Sequence, residues 1–334
     1  MMSMINLESL KAGLTSLAFI LFICCQIDQV ATSDVNMAYL GSYGRNSLAR
    51  AMYQRMLIDS QHKMDDHHYW YSVDTSQFPL DICNKFVQCQ QDNETTQFLN
   101  NCYEKADWLF TQIRDSFMKS ILSWFMTSTS INGLLGRGSM FVFSKAQLHR
   151  LLNVDVNWRG ESMLDLGAGD GMVTEQMAIH FRTVYATEAS HPMLKRLQQK
   201  GYRILDLNEW DDGSRTFDLI GCLNLLDRCD KPVSILHSMK KALSQNGRVI
   251  VAVVLPFEPY VELSTAGHRP TEVIHLQGQT FEEQVVSLVK DVFEPAGFEL
   301  EHFTRLPYLC EGDMYHSFYV LDDAVFVLKH KETG

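Results

Sequence analysis

The sequence is short of basic residues: 29 Lys and Arg stand against 40 Asp and Glu, which gives a formal net charge of -11. Non-specific binding of DNA or RNA needs a basic face, so this balance argues against nucleic-acid partners. Cysteine is also too sparse for a disulfide framework, with 8 residues in 334. No C-x-x-C pair occurs, which argues against a zinc ribbon, and we expect no metal site.

The sequence contains no internal repeat and no low-complexity tract. Hydrophobic residues make up 46% of the chain and charged residues 21%, which is the composition of an ordinary globular protein. This composition excludes wholesale disorder and fibrous structure. The length of 334 residues predicts two domains, or one large domain with an added segment.

An apolar run, Leu14–Cys25, lies near the N-terminus and is followed by polar sequence. The run is too short to cross a bilayer of about 30 Å but suits the apolar region of a signal peptide. The small residues Ala31 and Ser33 allow cleavage before Asp34. We therefore expect residues 1–33 to be a signal peptide or a retained membrane anchor. A buried amphipathic helix is the alternative.

The next segment, 34–92, is polar and has no clear periodicity, so we expect it to be irregular. It contains His62, His67 and His68, which are either part of a metal cluster or residues of a solvated loop. No second cluster of ligands is obvious, so we expect the loop. Asn93-Glu94-Thr95 is a glycosylation sequon and fits a chain in the secretory pathway.

The cysteines fall into two groups with different expectations. Members of the first group lie near one another in sequence and leave a disulfide open: Cys83, Cys89 and Cys102. Members of the second group lie in what we predict to be packed core, where we expect buried free thiols: Cys222, Cys229 and Cys310.

Apolar residues recur at steps of three and four from Thr96 to Phe125, which predicts an amphipathic helix. The stretch 128–143 then includes Gly133, Gly136 and Gly138, which favour a structured loop. This loop is either a lid over a ligand or a tight connection. Residues 93–150 are therefore expected to form a helical extension with a glycine-containing lid.

Strand-like and helix-like segments alternate over 151–330, which predicts an α/β fold with a mostly parallel sheet. The predicted strands are Ser162–Leu166, Val184–Thr187, Tyr202–Leu205, Phe217–Leu223, Arg248–Leu255, Phe298–Leu306 and Ala324–Leu328. The predicted helices are Val173–His180, Pro192–Gln199, Val233–Leu243 and Phe281–Phe293.

A glycine-rich loop, Asp165-Leu166-Gly167-Ala168-Gly169-Asp170-Gly171, follows the first of these strands. It has neither the G-x-G-x-x-G spacing of dinucleotide-binding loops nor the Lys-Ser/Thr pair of a P-loop. Asp165 and Asp170 would repel a pyrophosphate but would favour a ligand that carries an amino group. S-adenosylmethionine carries a sulfonium and an ammonium, so the loop favours this cofactor over NAD.

Acidic and amide residues follow two further strands. Glu188 ends the second strand, where an acid of a nucleotide-binding βαβ unit accepts hydrogen bonds from ribose hydroxyls. Asn224 and Asp227 follow the fourth strand, and ligands of open α/β sheets lie beyond the carboxyl ends of strands. Asn224 suits a cofactor amino group or a substrate nitrogen. Asp227 either orients a substrate N–H or caps the next helix.

Several strings together resemble the DREV family, the methyltransferase-like-nine family of protein-histidine methyltransferases: LLGRGSMFVFS (134–144), LDLGAGDG (164–171), YATE (185–188), CLNLLDRCD (222–230), VLPFEPYVE (254–262) and FTRLPYLCEGDMY (303–315). The resemblance implies a seven-stranded, Rossmann-like methyltransferase domain that converts S-adenosylmethionine to S-adenosylhomocysteine. It also implies methylation of the pros nitrogen of histidine in His-x-His segments of other proteins, where x is small.

The same resemblance implies roles for individual residues. The loop residues would hold the cofactor: Asp165, Gly167, Gly169 and Asp170. Glu188 would bind its ribose, while Asn224 and Tyr308 would complete the pocket. Asp227 and Tyr319 would address the substrate histidine, with Asn224 beside them. The resemblance further implies association with the endoplasmic reticulum and mitochondria.

Three other functions fit parts of the sequence. A small-molecule or lipid methyltransferase of the same fold would have the same cofactor residues. A nucleic-acid methyltransferase is disfavoured by the acidic charge. A catalytically silent adaptor would keep the fold only to bind partners, and an intact glycine loop argues against it.

Overall fold

The computed structural model describes residues 47–107, 138–261, 267–313 and 315–331. Contacts between residues divide the chain into two compact units, Met1–Gln54 and Arg55–Gly334. The predicted signal peptide, the second half of the predicted helix after Thr96 and most of the predicted lid lie outside the described residues. The proposed division of the chain into domains stays a prediction.

The helices differ in length from one turn to five. In chain order they are α1 (Ser47–Met64), α2 (Leu80–Cys83), α3 (Asn93–Asp107), α4 (Lys145–Leu152), α5 (Met172–Ala178), α6 (His191–Gln199), α7 (Pro232–Ala242) and α8 (Phe281–Ser287). A π-helical turn, Leu288–Phe293, continues α8. Helix α3 confirms the start of the helix predicted from the apolar spacing.

Local sequence explains where several helices begin. Ser144 caps α4, because its hydroxyl accepts from the Gln147 backbone N–H while the Gln147 side chain accepts from the Ser144 N–H. Thr280 and Glu283 form the same reciprocal pair at the start of α8. Such capping boxes satisfy two backbone donors that a helix leaves unpaired at its N-terminus. Helices α6 and α7 instead begin with a proline in the first turn.

The strands form one sheet of eight. They are β1 (Met140–Phe141), β2 (Gly160–Leu166), β3 (Phe181–Thr187), β4 (Arg203–Ile204), β5 (Phe217–Leu223), β6 (Leu243–Val254), β7 (Phe298–Glu311) and β8 (Phe318–His330). Their order across the sheet is β1-β7-β8-β6-β5-β2-β3-β4. Strands β2 to β6 pair in parallel, whereas β8 is antiparallel to both β6 and β7. This arrangement confirms the predicted α/β, Rossmann-like fold.

The sheet differs from the prediction mainly at its antiparallel edge, and β3 and β6 also begin three and five residues earlier than predicted. The β7–β8 hairpin is longer than predicted, because its outer ends carry polar, partly exposed residues that break the apolar pattern. The eighth strand, β1, comes from the segment predicted to be a lid, and it pairs with Leu309 and Cys310 of β7. A two-residue strand is too short to produce an alternating pattern in the sequence.

Both faces of the sheet are covered by helices, so its central strands are apolar throughout. In β6, Val249, Val251 and Val253 pack with α7 and α8, while Ile250 and Ala252 pack on the opposite face with α4 and α5. All five side chains are fully buried. Burying an aliphatic side chain of this kind stabilises the fold by about 1.5–3 kcal/mol, and it holds the strand ends in fixed positions.

The segment 34–92 contains more regular structure than we predicted. Helix α1 lies within it, followed by helical turns at His68–Trp70 and Thr75–Gln77. Helix α1 escaped prediction because it has no apolar stripe, and Met56, Leu57 and Met64 are all exposed on it.

The expectation of a solvated loop is wrong for His67. Its ring is buried, stacks on Trp70 at a centroid distance of 3.8 Å, and lies 2.9 Å from Gln91 Oε1 through Nδ1. The backbone of His67 is left-handed, with φ of 51°, which directs the side chain inward. Within the described ranges, no group of three or more His, Cys, Asp or Glu side chains is placed to hold a metal ion.

The cysteines and the sequon also have defined surroundings. Five cysteines in the described ranges carry free thiols: Cys83, Cys89, Cys222, Cys229 and Cys310. Because Cys83 and Cys89 are both among them, the disulfide left open among Cys83, Cys89 and Cys102 does not form. Asn93 is exposed at the start of α3, but the Thr95 hydroxyl is buried and donates to Asp92. In the part of the chain that is described, no helix is long and apolar enough to cross a bilayer.

A histidine pair, in which His180 is buried and His149 half-buried, is expected to make the stability of the fold depend on pH. His149 and His180 approach with their Nε2 atoms 2.8 Å apart, and His180 Nδ1 lies 3.3 Å from the Trp158 carbonyl oxygen. Burial, and then the neighbouring His149, lower the pKa of His180 from its ordinary value of 6.5. The unfolded chain therefore binds this proton more readily than the folded chain does.

We expect the free energy of unfolding to decrease as the pH falls below about 6.5, and this dependence to weaken in His180→Gln. The exposed His237 provides the control variant, His237→Gln, which should keep the dependence of the wild type. Urea unfolding between pH 5 and pH 7.5, in steps of about half a unit, measures the slope. An unchanged slope in His180→Gln would contradict the assignment.

Candidate functional site

The glycine loop connects β2 to α5, and hydrogen bonds link it to the end of β3 and the residues before α6. The Gly167 N–H donates to Thr187 Oγ1 at 3.2 Å, and the Gly169 N–H donates to Glu188 Oε2 at 2.9 Å. The other carboxylate oxygen of Glu188 accepts from the Ser190 N–H at 2.7 Å. Glu188 therefore joins the loop to the start of α6. Each of its oxygens keeps a further lone pair for a ligand hydroxyl.

Three glycines give the loop a backbone that other residues adopt only with strain. Gly167, Gly169 and Gly171 have φ values of 68°, 56° and 77°. A Cβ atom on Gly171 would lie 2.8 Å from the Leu197 side chain, whereas on Gly169 the one described neighbour that it would meet is the end of Met140, at 3.8 Å. As far as the described residues reach, the surface over Gly169 is thus open enough for a ligand to approach the backbone closely.

The two acids of the loop, Asp165 and Asp170, each accept a hydrogen bond from a residue of α5. Thr174 Oγ1 of α5 donates to Asp165 Oδ2 at 2.6 Å, and burial raises the pKa of Asp165 to about 7. Asp170 Oδ1 accepts from the Met172 N–H at 3.0 Å, and burial raises its pKa as well. Both carboxyls therefore fix the loop against α5. Direct contact of either acid with a cofactor stays a prediction.

A second polar cluster lies past the carboxyl end of β5. Asn224 Nδ2 donates to Asp323 Oδ2 at 2.9 Å, and Asp227 Oδ2 lies 3.0 Å from Arg228 Nε. The remaining oxygens, Oδ1 of Asn224, of Asp227 and of Asp323, are buried and have no hydrogen-bond partner among the described residues. An unpaired buried acceptor costs about 1–3 kcal/mol. Three in one place indicate a ligand that brings N–H or O–H donors.

The electrostatics of this cluster follow from its burial. Desolvation raises the pKa of Asp227 and, more strongly, that of Asp323, to which the Asp227 charge also contributes. Tyr308 of β7 belongs to the same environment. Burial raises the pKa of its hydroxyl well above the usual value, with smaller contributions from Cys310, Asp323 and Asp227. The Tyr308 hydroxyl contacts Met140 Sδ of β1, which also lies over Gly169.

An open cleft of about 690 Å³ begins at Asp227. Aromatic side chains line much of it: Tyr69, Trp70 and Tyr260. Arg228 and Arg305 form part of the remaining wall. The rest comes from the end of β6 with the segment after it, and from β8: Val254, Leu255, Pro256, Glu258, Pro259, Val320, Leu321 and Asp322. The buried polar cluster thus meets the surface cleft at Asp227, which suits a ligand that extends from the interior to solvent.

The structure brings most of the predicted site residues together in two groups. The glycine loop meets Glu188, and Asn224, Asp227 and Tyr308 share the second cluster. Asp227 does not cap the next helix, because α7 begins at Pro232 with Lys231 as its cap residue. Its carboxyl belongs to the cluster instead.

Tyr319 stands apart from both groups. It is 41% exposed, and its hydroxyl donates to Asp313 Oδ2 at 2.9 Å. Burial and the Asp313 carboxylate raise the pKa of Tyr319 to about 12. The described contacts give it no link to the buried carboxyls, so its role toward a substrate stays a prediction.

Sequence reasoning missed Asp323, Thr187 and the aromatic cleft residues. The predicted last strand began at Ala324, which left Asp323 in a loop, whereas β8 begins at Phe318. An acid at an inward-facing position of an apolar strand was the available signal. Trp70 gave no signal, because only the tertiary fold places it beside Asp227.

The family model described as DREV methyltransferase matches residues 70–330 of the chain. The mitochondrial ubiquinone biosynthesis O-methyltransferase of Schizosaccharomyces pombe is 32% identical over 107 residues, which cover 28% of this chain and 38% of that protein. The ubiquinone biosynthesis O-methyltransferase of Pseudomonas putida (strain F1) is 24% identical over 123 residues, 32% of this chain and 53% of that protein. The chain thus matches about half or less of the length of these relatives.

Among solved structures, the N-methyltransferase NodS from Bradyrhizobium japonicum, in complex with S-adenosyl-L-homocysteine, is similar with a TM-score of 0.36 and 16% identity. The similarity covers 56% of this chain and 86% of NodS. A TehB-like SAM-dependent methyltransferase from Corynebacterium glutamicum has a TM-score of 0.34 and 18% identity, and covers 56% and 95% of the two chains.

The contacts of Glu188 lead to a binding prediction. In Glu188→Gln, one of the two backbone N–H groups must face an NH₂ group, so the loop loses a charge-assisted hydrogen bond. We expect the dissociation constant for S-adenosylhomocysteine to rise about tenfold or more. Calorimetric titration measures it. Glu161→Gln, which changes an exposed acid paired with Arg182, is the matched control and should bind like the wild type. Equal affinities in the two variants would refute this role of Glu188.

Proposed function

Since the chain belongs to the DREV methyltransferase family and is therefore an S-adenosylmethionine-dependent methyltransferase, we propose that its substrate is histidine in other proteins. In this proposal the methyl group goes to the pros nitrogen in His-x-His segments where x is small. The supporting observation is the group of three buried oxygens without a described hydrogen-bond partner, on Asn224, Asp227 and Asp323, together with the open cleft that Asp227 also lines. These acceptors match an imidazole N–H, and the cleft has room for the neighbouring residues of a chain.

The residues of the loop region fit the cofactor. The open surface over Gly169 admits a ligand close to the backbone, and Glu188 offers lone pairs to the ribose hydroxyls. Asn224 and Tyr308 would close the other side of the pocket. When bound, S-adenosylmethionine supplies a methyl group on a positively charged sulfonium.

The protein has three tasks in this reaction. A neutral imidazole, with an ordinary pKa near 6.5, is already a nucleophile at neutral pH. The site must therefore select the ring nitrogen that reacts, hold it in line and take up a proton. Asp227 Oδ1 would accept the N–H of the other ring nitrogen, which fixes the tautomer and leaves the pros lone pair free. Burial raises the pKa of Asp227, which favours uptake of the proton that the methylated ring loses.

The cleft would bind the residues around the target histidine. Tyr69 and Tyr260, which are 51% and 45% exposed, present aromatic surface to a peptide, and the buried Trp70 packs against Tyr69. Stacking with an imidazole ring is favourable for such side chains. Trp70 is held rigidly by the stacked His67 ring, so the wall costs little conformational entropy on binding.

A small-molecule methyltransferase is the second candidate. Two matches to ubiquinone biosynthesis O-methyltransferases favour it, although they cover only 28% and 32% of this chain. A lipid substrate and a silent adaptor fold remain outcomes of the tests below. We also propose that protein substrates, not nucleic acids, are the partners. Residues 1–33 would direct the chain to the secretory pathway or the endoplasmic reticulum. The mitochondrion is the second location in this proposal.

The proposal predicts methyl transfer from labelled S-adenosylmethionine to a His-Ala-His peptide, with mass spectrometry locating the methyl on a pros nitrogen. A Gln-Ala-Gln peptide and the Gly169→Arg variant should give no signal, because the first has no imidazole and the second fills the open surface over the loop. Cofactor binding without transfer would reject histidine and favour small molecules or lipids. Absence of cofactor binding would favour the silent adaptor.

Asp227→Ala tests the proposed acceptor. We expect activity on the peptide to fall at least about 100-fold, since proton transfer groups contribute on this scale, while the affinity for S-adenosylhomocysteine changes less than about threefold. Asp230→Ala, a change three residues along the same loop, is the control. Loss of cofactor binding in Asp227→Ala would reject the role.

A further inference from the structure

We infer that Asp323 is a positioning residue whose carboxyl orients the Asn224 amide, so that the Asn224 oxygen faces the ligand and accepts an N–H hydrogen bond. The sequence did not indicate this residue, and it lies on a different strand from every other member of the cluster. The substrate part of the inference rests on the proposed function, whereas its cofactor part does not.

Asp323 cannot move away from Asn224. It lies inside β8, opposite Val254 of β6 on one side and Leu306 of β7 on the other. Its side chain is fully buried, and its backbone belongs to a strand that is paired on both edges. The carboxyl is therefore a fixed acceptor and not a mobile surface group.

The backbone of Asn224 is fixed as well. Its N–H donates to the Ala252 carbonyl oxygen of β6 at 2.9 Å, and its φ is 52°, in the left-handed region that Asn tolerates better than most residues. The only large freedom left to the side chain is the orientation of its amide. With both neighbours fixed, one hydrogen bond decides that orientation.

The bond from Asn224 Nδ2 to Asp323 Oδ2, at 2.9 Å, has this effect. A carboxylate only accepts, so it selects the NH₂ end of the amide and turns the oxygen end away. The oxygen is buried, and no described residue donates to it. The orientation is also compatible with a proton on Asp323 Oδ1, because Oδ2 still accepts. Burial raises the pKa of Asp323 well above its usual range.

The oxygens of this cluster select a ligand group that donates a hydrogen bond from N–H. Asn224 Oδ1 and Asp227 Oδ1 offer acceptors, as does Asp323 Oδ1 when it carries no proton, and no residue in the described ranges donates to any of the three. The neighbouring Asp322 is different, since it pairs with Arg305 at 2.8 Å. Three ligand groups have the required N–H: the ammonium and the adenine amino group of the cofactor, and the imidazole of the substrate histidine. The experiment distinguishes the cofactor from the substrate.

The experiment exchanges the two residues. Asp323→Asn replaces a group that only accepts by an amide that can present either its oxygen or its NH₂ end, so the Asn224 amide is free to turn. Asn224→Asp places two carboxyls in contact. The combined variant, N224D with D323N, restores one N–H donor and one acceptor and still leaves an oxygen toward the ligand. The measurements are the dissociation constant for S-adenosylhomocysteine by calorimetry, the KM and kcat for the His-Ala-His peptide, and the Tm.

We expect each single variant to weaken binding of at least one ligand about tenfold and the exchanged pair to recover to within about threefold of the wild type. A rise in the S-adenosylhomocysteine constant assigns the N–H to the cofactor. A rise in peptide KM with unchanged S-adenosylhomocysteine binding assigns it to the substrate. Glu299→Gln, which changes an acid of the same hairpin that faces Lys329, should behave as the wild type.

Two results would overturn the inference: wild-type binding of both ligands by Asp323→Asn, or no recovery in the exchanged pair. If Asp323→Asn does not fold, Asn224→Ala replaces it, because it removes the oxygen and should bind as weakly as Asn224→Asp. If the wild-type chain does not methylate the peptide, the proposed function fails. The S-adenosylhomocysteine measurement then decides the inference alone.

Discussion

One carboxylate, that of Glu188, joins the parts of the site that come from different strands. It accepts from the Gly169 N–H in the loop after β2 and from the Ser190 N–H at the start of α6. Without this bridge, the Gly169 N–H would need water as its acceptor. The left-handed conformation of the loop glycines would then be less firmly fixed. The open surface over Gly169, the position of Met140 above it and the approach of Tyr308 all depend on the loop being held there.

The rest of the site departs from the rule that buried polar groups have hydrogen-bond partners. Carboxyl and amide oxygens of Asn224, Asp227 and Asp323 are buried without donors in the described part of the chain. Such an arrangement lowers stability unless a ligand completes it. The antiparallel β7–β8 hairpin makes it tolerable, because two paired strands carry Asp323 and Tyr308 into the site on a rigid support. A site that depends on a bound ligand and a fold that does not can therefore coexist in one domain.

The bounds of β5 were predicted accurately, whereas those of the β7–β8 hairpin were not. Strand β5 has the predicted bounds, since a strand buried on both faces is a continuous apolar run with sharp ends. The β7–β8 hairpin was underestimated, since one end is partly exposed and carries polar residues. Helix α1 was missed because it has no apolar stripe. His67 was assigned to solvent because its stacking partner, Trp70, gives no sign of that contact in the sequence.

The sequence by itself determined the α/β class, the glycine loop and the place of Glu188 at the end of the second predicted strand. These features are local: they depend on residues within one βαβ unit, whose geometry the backbone imposes. The tertiary structure alone decided that Asp323 lies beside Asn224, that Trp70 and Asp227 line the same cleft, and that the Tyr319 hydroxyl donates to Asp313. Those contacts join residues far apart in the chain. Only the packing of strands and the register of the hairpin bring them together, and no periodicity in the sequence encodes that register.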